Sequence, residues 1–251
     1  MILFRKIVVT QDLGLDDLRY HAHVRVILFG ASGMVGQGVL RECLLDPDVD
    51  TVLLIGRRAI HVANPKVRNI VLQEIGNLEP VADQLSGYDA CFFCLGVSSV
   101  GMPEAQYKRI TYDLTIGAAT TLARLNPGMT FIYVSGLGTD STERGRVAWA
   151  RVKGATENAL LRMPFRAAYM FRPGAIQPMH GEKPKAAMTR FALALLGPII
   201  PLVMKLAPGH VTTTERMGQA MLIAARSGAP KKILDNADIN RLATSALAAA
   251  G

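Results

Sequence analysis

The fold is decided by the stretch Val24-Arg25-Val26-Ile27-Leu28-Phe29-Gly30-Ala31-Ser32-Gly33-Met34-Val35-Gly36. Its first part is an apolar run of strand length that stops at Gly30, after which glycines recur at three-residue steps. A helical pattern of apolar residues then begins at Val35 and continues to Leu44. The stretch therefore predicts a strand, a tight turn and a helix.

Such a turn suits the pyrophosphate of a dinucleotide, because the first amides of a helix are unpaired and its positive dipole end attracts anions. Gly30 would allow the turn, Gly33 would let the backbone approach a phosphate, and Gly36 would let the helix pack closely. The alternative is a glycine-rich turn that binds nothing, but a strand before it and a helix after it are typical of a binding loop. The residues of this loop expected to bind the cofactor are Gly30, Ser32, Gly33, Met34 and Val35.

Composition indicates one globular α/β domain with appendages, since the chain has 251 residues, of which half are apolar and 19% are charged. The net charge of +8 comes from scattered basic residues without interleaved aromatics, so a nucleic-acid partner is not expected. Three cysteines do not make a disulfide framework, which favours a reducing compartment and predicts a cytoplasmic location.

Cys91 and Cys94 have the spacing of a redox pair but lie in an apolar run at residues 90–95. In a strand, positions three apart point to opposite faces, so these thiols are predicted to be core residues. No metal site is expected.

The chain divides into an N-terminal extension at residues 1–23, a dinucleotide-binding domain at residues 24–180 and a small substrate-side lid at residues 181–251. The extension lacks the order of a signal peptide and is interpreted as a loose arm, an extra edge strand or an upstream start of translation. The apolar segment at residues 191–204 is too short for a bilayer span.

The residues after the second strand, predicted at 51–55, bear on the choice of cofactor. Sites that prefer NAD usually place a carboxylate here for the ribose hydroxyls, whereas a 2′-phosphate favours arginine. This chain has Arg57 and Arg58, and Asp50 falls at the wrong end of the strand. The pair favours NADP over NAD; the alternative is two solvent-facing arginines in a loop.

Further strands are predicted at residues 67–72, 90–95, 129–134 and 167–171, with helices between them. This alternation predicts an α/β fold, a doubly wound parallel-sheet Rossmann fold. Asn77, in the loop after the third strand, is expected to lie near the adenine. Leu95 and Gly96 end the fourth strand, and glycine at that edge would let the backbone approach a ligand.

Four later features join the glycine loop, namely Leu95-Gly96, Val134-Ser135-Gly136, Lys153 and Arg172-Pro173-Gly174. Together they resemble the short-chain dehydrogenase/reductase superfamily over residues 24–180, and more loosely beyond. The match is closest to its atypical, NADP-binding branch, which includes the Tat-interacting oxidoreductase-like proteins and the NAD-dependent epimerase/dehydratase-like proteins.

The resemblance implies roles for individual residues. In that family a serine polarises the substrate, a tyrosine four residues before a lysine transfers the proton, and the lysine holds the ribose. Ser135 and Lys153 match the serine and the lysine, while the tyrosine position holds Trp149. The resemblance also places Leu95, Gly96, Lys153, Pro173, Gly174 and Ile176 at the cofactor.

Trp149 is the important departure from the family pattern, because indole has one N–H donor and no proton that titrates usefully. Losing general acid/base catalysis typically costs on the order of a hundred- to ten-thousand-fold in rate. Replacement donors are few: Tyr133 is predicted to be core, His180 an exposed loop residue and His210 a helix-entry residue.

Three functions stay open at this point. The first is an NADP(H)-binding oxidoreductase-like protein that acts on an unknown small substrate. The second is a non-catalytic NADPH-bound sensor or protein-interaction module, and the third an epimerase or dehydratase that retains its cofactor. The resemblance permits a homodimer through the helices at residues 104–125 and 146–163, which the sequence does not decide.

Overall fold

The computed structural model describes residues 23–182 and 211–249. The strands in these residues are β1 (Val24–Phe29), β2 (Val49–Gly56), β3 (Val67–Val71), β4 (Ala90–Phe93), β5 (Thr130–Val134), β6 (Ala167–Arg172), β7 (Ala175–Gln177), β8 (Val211–Thr213) and β9 (Ile233–Asp235). The helices are α1 (Met34–Leu45), α2 (Glu104–Lys108), α3 (Leu114–Leu125), α4 (Ala148–Leu161), α5 (Thr214–Ser227) and α6 (Asn236–Ala249), with a 3₁₀ helix at Glu79–Gln84 and a π-helical turn at Arg109–Asp113.

Seven of the described strands form one parallel sheet in the order β3-β2-β1-β4-β5-β6-β9. The chain moves outward in one direction from β1 to β3 and in the other from β4 onward, which makes this a doubly wound Rossmann fold, as predicted. The direction reverses between β1 and β4, where Val26 pairs with Ala90 and Phe29 with Phe93. In such sheets ligands bind beside this switch point, at the carboxyl ends of the strands.

Helices cover both faces of the sheet, which explains why its central strands are apolar on both sides. On one face α1, α5 and α6 pack through buried residues such as Val39, Met217 and Leu242. On the other face α3 and α4 pack through Leu122 and Leu160. The site therefore has a rigid base, because each strand that leads to it is fixed from both sides.

Several elements differ from the prediction. The fourth strand ends at Phe93 because Cys94 and Leu95 turn over the glycine loop, where the Cys94 carbonyl oxygen would lie 2.6 Å from a Cβ at Gly30. The long helix at residues 104–125 contains a π-helical turn, and the helix expected between the third and fourth strands is a 3₁₀ helix at Glu79–Gln84. Sequence reasoning missed β9 and α6.

The C-terminal residues that the structure describes are built into the main fold. β9 pairs with β6, and α5 packs on α1 so closely that a Cβ at Gly38 would lie 2.5 Å from the Cβ of Thr214. The remainder of the expected lid, at 183–210, lies outside the described residues, as do residues 1–22 of the N-terminal extension. The apolar segment at 191–204 is also outside them.

Across the described part of the chain, every helix is too short or too polar to cross a membrane.

Candidate functional site

The turn after β1 has the conformation that glycine permits. Gly30 has φ +80°, and the Gly33 amide donates to the Gly30 carbonyl at 2.9 Å. A Cβ at Gly36 would lie 2.7 Å from the Gly30 carbonyl carbon and 2.9 Å from the Ala31 Cα. Gly36 therefore lets α1 close onto the turn, whereas Gly33 has room for a side chain.

The first turn of α1 has amides without an intrahelical partner. Gly33 caps the helix without a side-chain hydrogen bond, and the first turn contains no acidic residue. The amides of Met34 and Val35 precede the first intrahelical donor, so they and the positive dipole end can receive an anion.

A cleft of about 730 Å³ opens beside this turn, above the carboxyl end of β2. Its floor and walls come from the glycine loop, the end of β2 and the segments after β3 and β4. The lining residues are Gly30, Ala31, Ser32, Leu54, Ile55, Gly56, Arg57, Arg58, Ala59, Ile60, Gln73, Ile75 and Leu95. The structure thus brings the loop and the arginine pair into one cavity, large enough for half of a dinucleotide.

Arg57 and Arg58 are exposed in this cleft. Among the described residues, neither guanidinium makes a hydrogen bond or an ion pair. Two unneutralised guanidinium groups in a concave site are suited to binding a phosphate.

Asn77 lies outside the lining of the cleft. Its Oδ1 accepts from the Glu79 amide at 3.3 Å, and its amide donates to the Glu74 carbonyl at 3.0 Å, so it stabilises the turn before the 3₁₀ helix. Gln73 and Ile75 line the cavity instead. The signal for these two residues in the sequence is their position shortly after β3. The polar Asn77 was chosen as the candidate instead of them.

Gly96 borders open space, since a Cβ there would meet no atom within 4 Å. Pro173 and Gly174 follow β6 and are held by two hydrogen bonds. The Pro173 carbonyl accepts from the Leu137 amide at 2.9 Å, and the Gly174 amide donates to the Asn236 Oδ1 at 3.0 Å. Ile176 pairs with Thr212 in the small β7–β8 sheet.

Ser135 and Lys153 lie together at the carboxyl edge of the sheet. Ser135 directly follows β5, and its hydroxyl donates to the Phe171 carbonyl at 3.2 Å. The Lys153 Nζ donates to the Ser135 carbonyl at 2.8 Å and lies 5.5 Å from the centre of the Tyr133 ring. Burial lowers the pKa of Lys153 to about 8, although the negative charge of Glu157 opposes the change. The ammonium is thus charged at neutral pH and titrates only slightly above it.

Trp149 lies one helical turn before Lys153 on α4 and is partly buried. Its ring packs against Gly138, where a Cβ would lie 3.5 Å from the indole Cη2. Because Gly138 has φ +86° and follows Ser135 in the same loop, the indole borders the segment that carries the serine.

The other groups weighed as proton donors have different surroundings. Tyr133 is 1% exposed, and burial raises its pKa well above the usual range, so it is a core residue as predicted. His180 is exposed and pairs with Glu215 at 3.0 Å between Nε2 and Oε2. His210 lies outside the described residues.

The three cysteines are free thiols, as the sequence predicts. Cys43 and Cys91 are fully buried, and burial raises the pKa of Cys94 to about 12. Burial also raises the pKa of Cys91, so neither thiol of this pair is suited to redox chemistry.

Sequence reasoning missed two features of α4. Gly154 packs on the loop after β5, where a Cβ would lie 2.6 Å from the Asp140 carbonyl carbon. Glu157 is fully buried and paired with Arg172. The sequence carried a signal for each feature, namely a glycine directly after Lys153 and a carboxylate one helical turn after Lys153.

Known proteins resemble this chain at moderate sequence identity. No family model matches the chain. It is 28% identical over 225 residues to the protein fmp52-2, mitochondrial, of Aspergillus oryzae, which covers 86% of this chain and 95% of the relative. It is 29% identical over 154 residues to the protein HTATIP2 of Rattus norvegicus, which covers 60% of this chain and 62% of that protein. The chain thus resembles proteins of the atypical short-chain dehydrogenase/reductase superfamily.

The fold of the chain matches that of the Bordetella bronchiseptica enzyme WbmF, solved in complex with NAD+. The TM-score is 0.62 at 17% sequence identity, and the match covers 89% of this chain and 77% of WbmF. At this level of identity the comparison supports the architecture of the sheet and its helices.

The cytoplasmic location predicted from cysteine usage is wrong, because the fungal relatives that the chain matches are named mitochondrial. The prediction failed for a physical reason: free thiols report a reducing environment, which by itself does not specify an organelle.

Proposed function

We propose that this chain is an NADP(H)-binding oxidoreductase-like protein that acts on a small substrate beside Ser135. The observation that carries the proposal is the cleft that brings the glycine loop before α1 together with Arg57 and Arg58, for which the described residues supply no ionic partner. Anions are the ligands that both features favour.

The residues present fit a dinucleotide along the edge of the sheet. Arg57 and Arg58 would hold a 2′-phosphate at the end of β2, and the glycine loop would receive the pyrophosphate. Lys153, Pro173 and Gly174 would receive the nicotinamide half. WbmF, which shares the fold, was solved with NAD+, and this supports a nicotinamide cofactor. When bound, the cofactor would supply or accept a hydride.

On the substrate side, the Ser135 hydroxyl would donate a hydrogen bond to the reacting oxygen, turning away from the Phe171 carbonyl that it now contacts. The Lys153 ammonium would hold the ribose hydroxyls through its three donors. Trp149 would pack on the nicotinamide or the substrate in place of the family tyrosine and would transfer no proton.

The native protein provides its own reporter for the test. Trp149 is the single tryptophan of the chain, so its emission should be quenched when a reduced nicotinamide binds beside Ser135. Titration with NADPH should quench it at lower concentrations than titration with NADH. Equal affinity for the two would remove the case for NADP, and the absence of quenching by either would remove the proposed function.

Replacing Arg57 or Arg58 with glutamine is expected to weaken NADPH binding about tenfold, the loss of one charge-assisted hydrogen bond, with little effect on NADH. The measurement is the same titration. Arg124→Gln is the matched control, because it removes the same charge from an exposed ion pair with Glu79 outside the cleft. A parallel loss for NADPH and NADH would argue against a contact with the 2′-phosphate.

A second candidate is a cofactor-bound sensor without turnover, and Trp149 favours it because the side chain cannot act as an acid or base. The two candidates differ in NADPH consumption. If a panel of aldehydes and ketones reveals consumption that Ser135→Ala abolishes, the sensor is eliminated. The homodimer stays a prediction, which sedimentation equilibrium of the purified protein would check.

A further inference from the structure

Glu157 is a carboxylate buried in α4 with 0% exposure. Both of its oxygens accept from the Nε of Arg172, at 3.0 Å and 3.1 Å, and the Arg172 Nη2 also donates to Oε2. The pair is bidentate, which fixes the orientation of one side chain relative to the other.

Arg172 extends the pair to a third segment. It is the last residue of β6, directly before Pro173, and its Nη2 also donates to the hydroxyl of Ser141. Ser141 lies in the loop that follows Ser135. One ion pair therefore joins the three segments that carry Lys153, Pro173 and Ser135.

Glu157 also follows Lys153 by one helical turn, so the two side chains lie on the same face of α4. The ionisable groups around Lys153 come from several elements: Glu157 on α4, Arg172 on β6, and Tyr133 on β5, next to Tyr107 of α2. Glu157 is the one whose negative charge opposes the lowering of the Lys153 pKa by burial.

Stabilisation of the fold does not by itself account for a buried ion pair at this position. A buried ion pair costs several kcal/mol in desolvation, and apolar residues of similar volume are often equally stable in its place. What an apolar pair lacks is the fixed geometry and the negative charge beside Lys153.

We propose that the Glu157–Arg172 pair is a positioning element of the candidate site, which aligns α4 with the end of β6 and so places Lys153 and the turn at Pro173 relative to Ser135. This inference rests on the proposed function. Glu157 and Arg172 touch neither cofactor nor substrate in it; they act through Lys153 and through the turn at Pro173.

The test compares the native protein with Glu157→Gln by two measurements. The first is the titration of Lys153, followed by NMR of lysines labelled at Cε, with Lys153→Met to assign the signal. Without the negative charge of Glu157 the ammonium is less stable, so its midpoint should fall from about 8. The expected fall is about one pH unit, as for the loss of a nearby opposite charge.

The second measurement is NADPH affinity against pH, followed by quenching of Trp149. Affinity should decline above pH 8 in the native protein, because Lys153 loses its proton there. In Glu157→Gln the decline should begin at lower pH, with binding about fivefold weaker near pH 8, because about half of the native Lys153 side chains but only about a tenth of the variant's are charged there. Glu79→Gln, which breaks an exposed pair with Arg124, should match the native curve.

If Glu157→Gln does not fold, the double variant with Glu157→Leu and Arg172→Met is measured in its place. It leaves no unpaired buried charge, because both charges are removed together. The double variant should fold and show a lowered midpoint of Lys153, by less than in Glu157→Gln, because the positive charge of Arg172 is lost together with the negative charge of Glu157. Native midpoints in both variants would overturn the positioning role while leaving the proposed function intact. A native protein that binds neither NADPH nor NADH would overturn both, even with a shifted Lys153 midpoint.

Discussion

Gly36→Ala is expected to lower the free energy of unfolding by about 3 kcal/mol, at the upper end of the usual cost of overpacking, and to abolish nucleotide binding. The added methyl group would overlap the backbone of Gly30 and Ala31, which cannot rotate away as a side chain can. To relieve the overlap, α1 must move off the turn, which displaces the amides that would hold the pyrophosphate. Urea unfolding and the Trp149 titration measure the two effects.

Two other glycines serve as matched controls for Gly36→Ala. A Cβ at Gly33 would lie 3.4 Å from the Gly30 carbonyl oxygen, so Gly33→Ala should keep native stability. It should lose affinity only, because its methyl group would face the phosphate in the proposed binding mode. A Cβ at Gly128 would meet no atom within 4 Å, and Gly128→Ala should change neither property. If Gly36→Ala unfolds like Gly128→Ala, the close approach of α1 to the turn is not required.

Trp149→Tyr is expected to raise NADPH-dependent turnover about a hundredfold, the lower end of what general acid catalysis contributes. A phenol one helical turn before Lys153 would place a titratable proton near Ser135, and the ammonium would lower the pKa of that phenol. The smaller ring fits the space that the indole now occupies against Gly138. Absorbance of NADPH with a panel of aldehydes and ketones measures the rate.

Trp149→Phe separates the hydroxyl from the change in ring size, and it should stay as slow as the native protein. Because both variants lack tryptophan, their NADPH affinity is read from the emission of the bound nucleotide. A tyrosine variant that binds NADPH but is no faster than the phenylalanine variant would favour the sensor over the oxidoreductase.

The sequence predicted most of the sheet because its strands are strongly apolar runs separated by turn residues. Val24–Phe29 and Ala167–Arg172 were placed to within one residue, and the glycine loop was recognised from its position between a strand and a helix. β9 and α6 were missed because β9 is three residues long and an alanine-rich end gives little periodicity. Such elements become strand and helix through pairing with β6 and packing on the sheet.

The sequence by itself determined which chemical groups reach the carboxyl edge of the sheet, since strand order along the chain and a parallel sheet place Gly30, Arg57 and Ser135 there. It also determined that Trp149 stands one turn before Lys153, because helical periodicity is a local property. Only the tertiary structure decided which of these groups meet. Gln73 replaces Asn77 at the cleft, and Glu157 pairs with Arg172, because such contacts depend on how α4, β6 and the loops approach one another across the sheet.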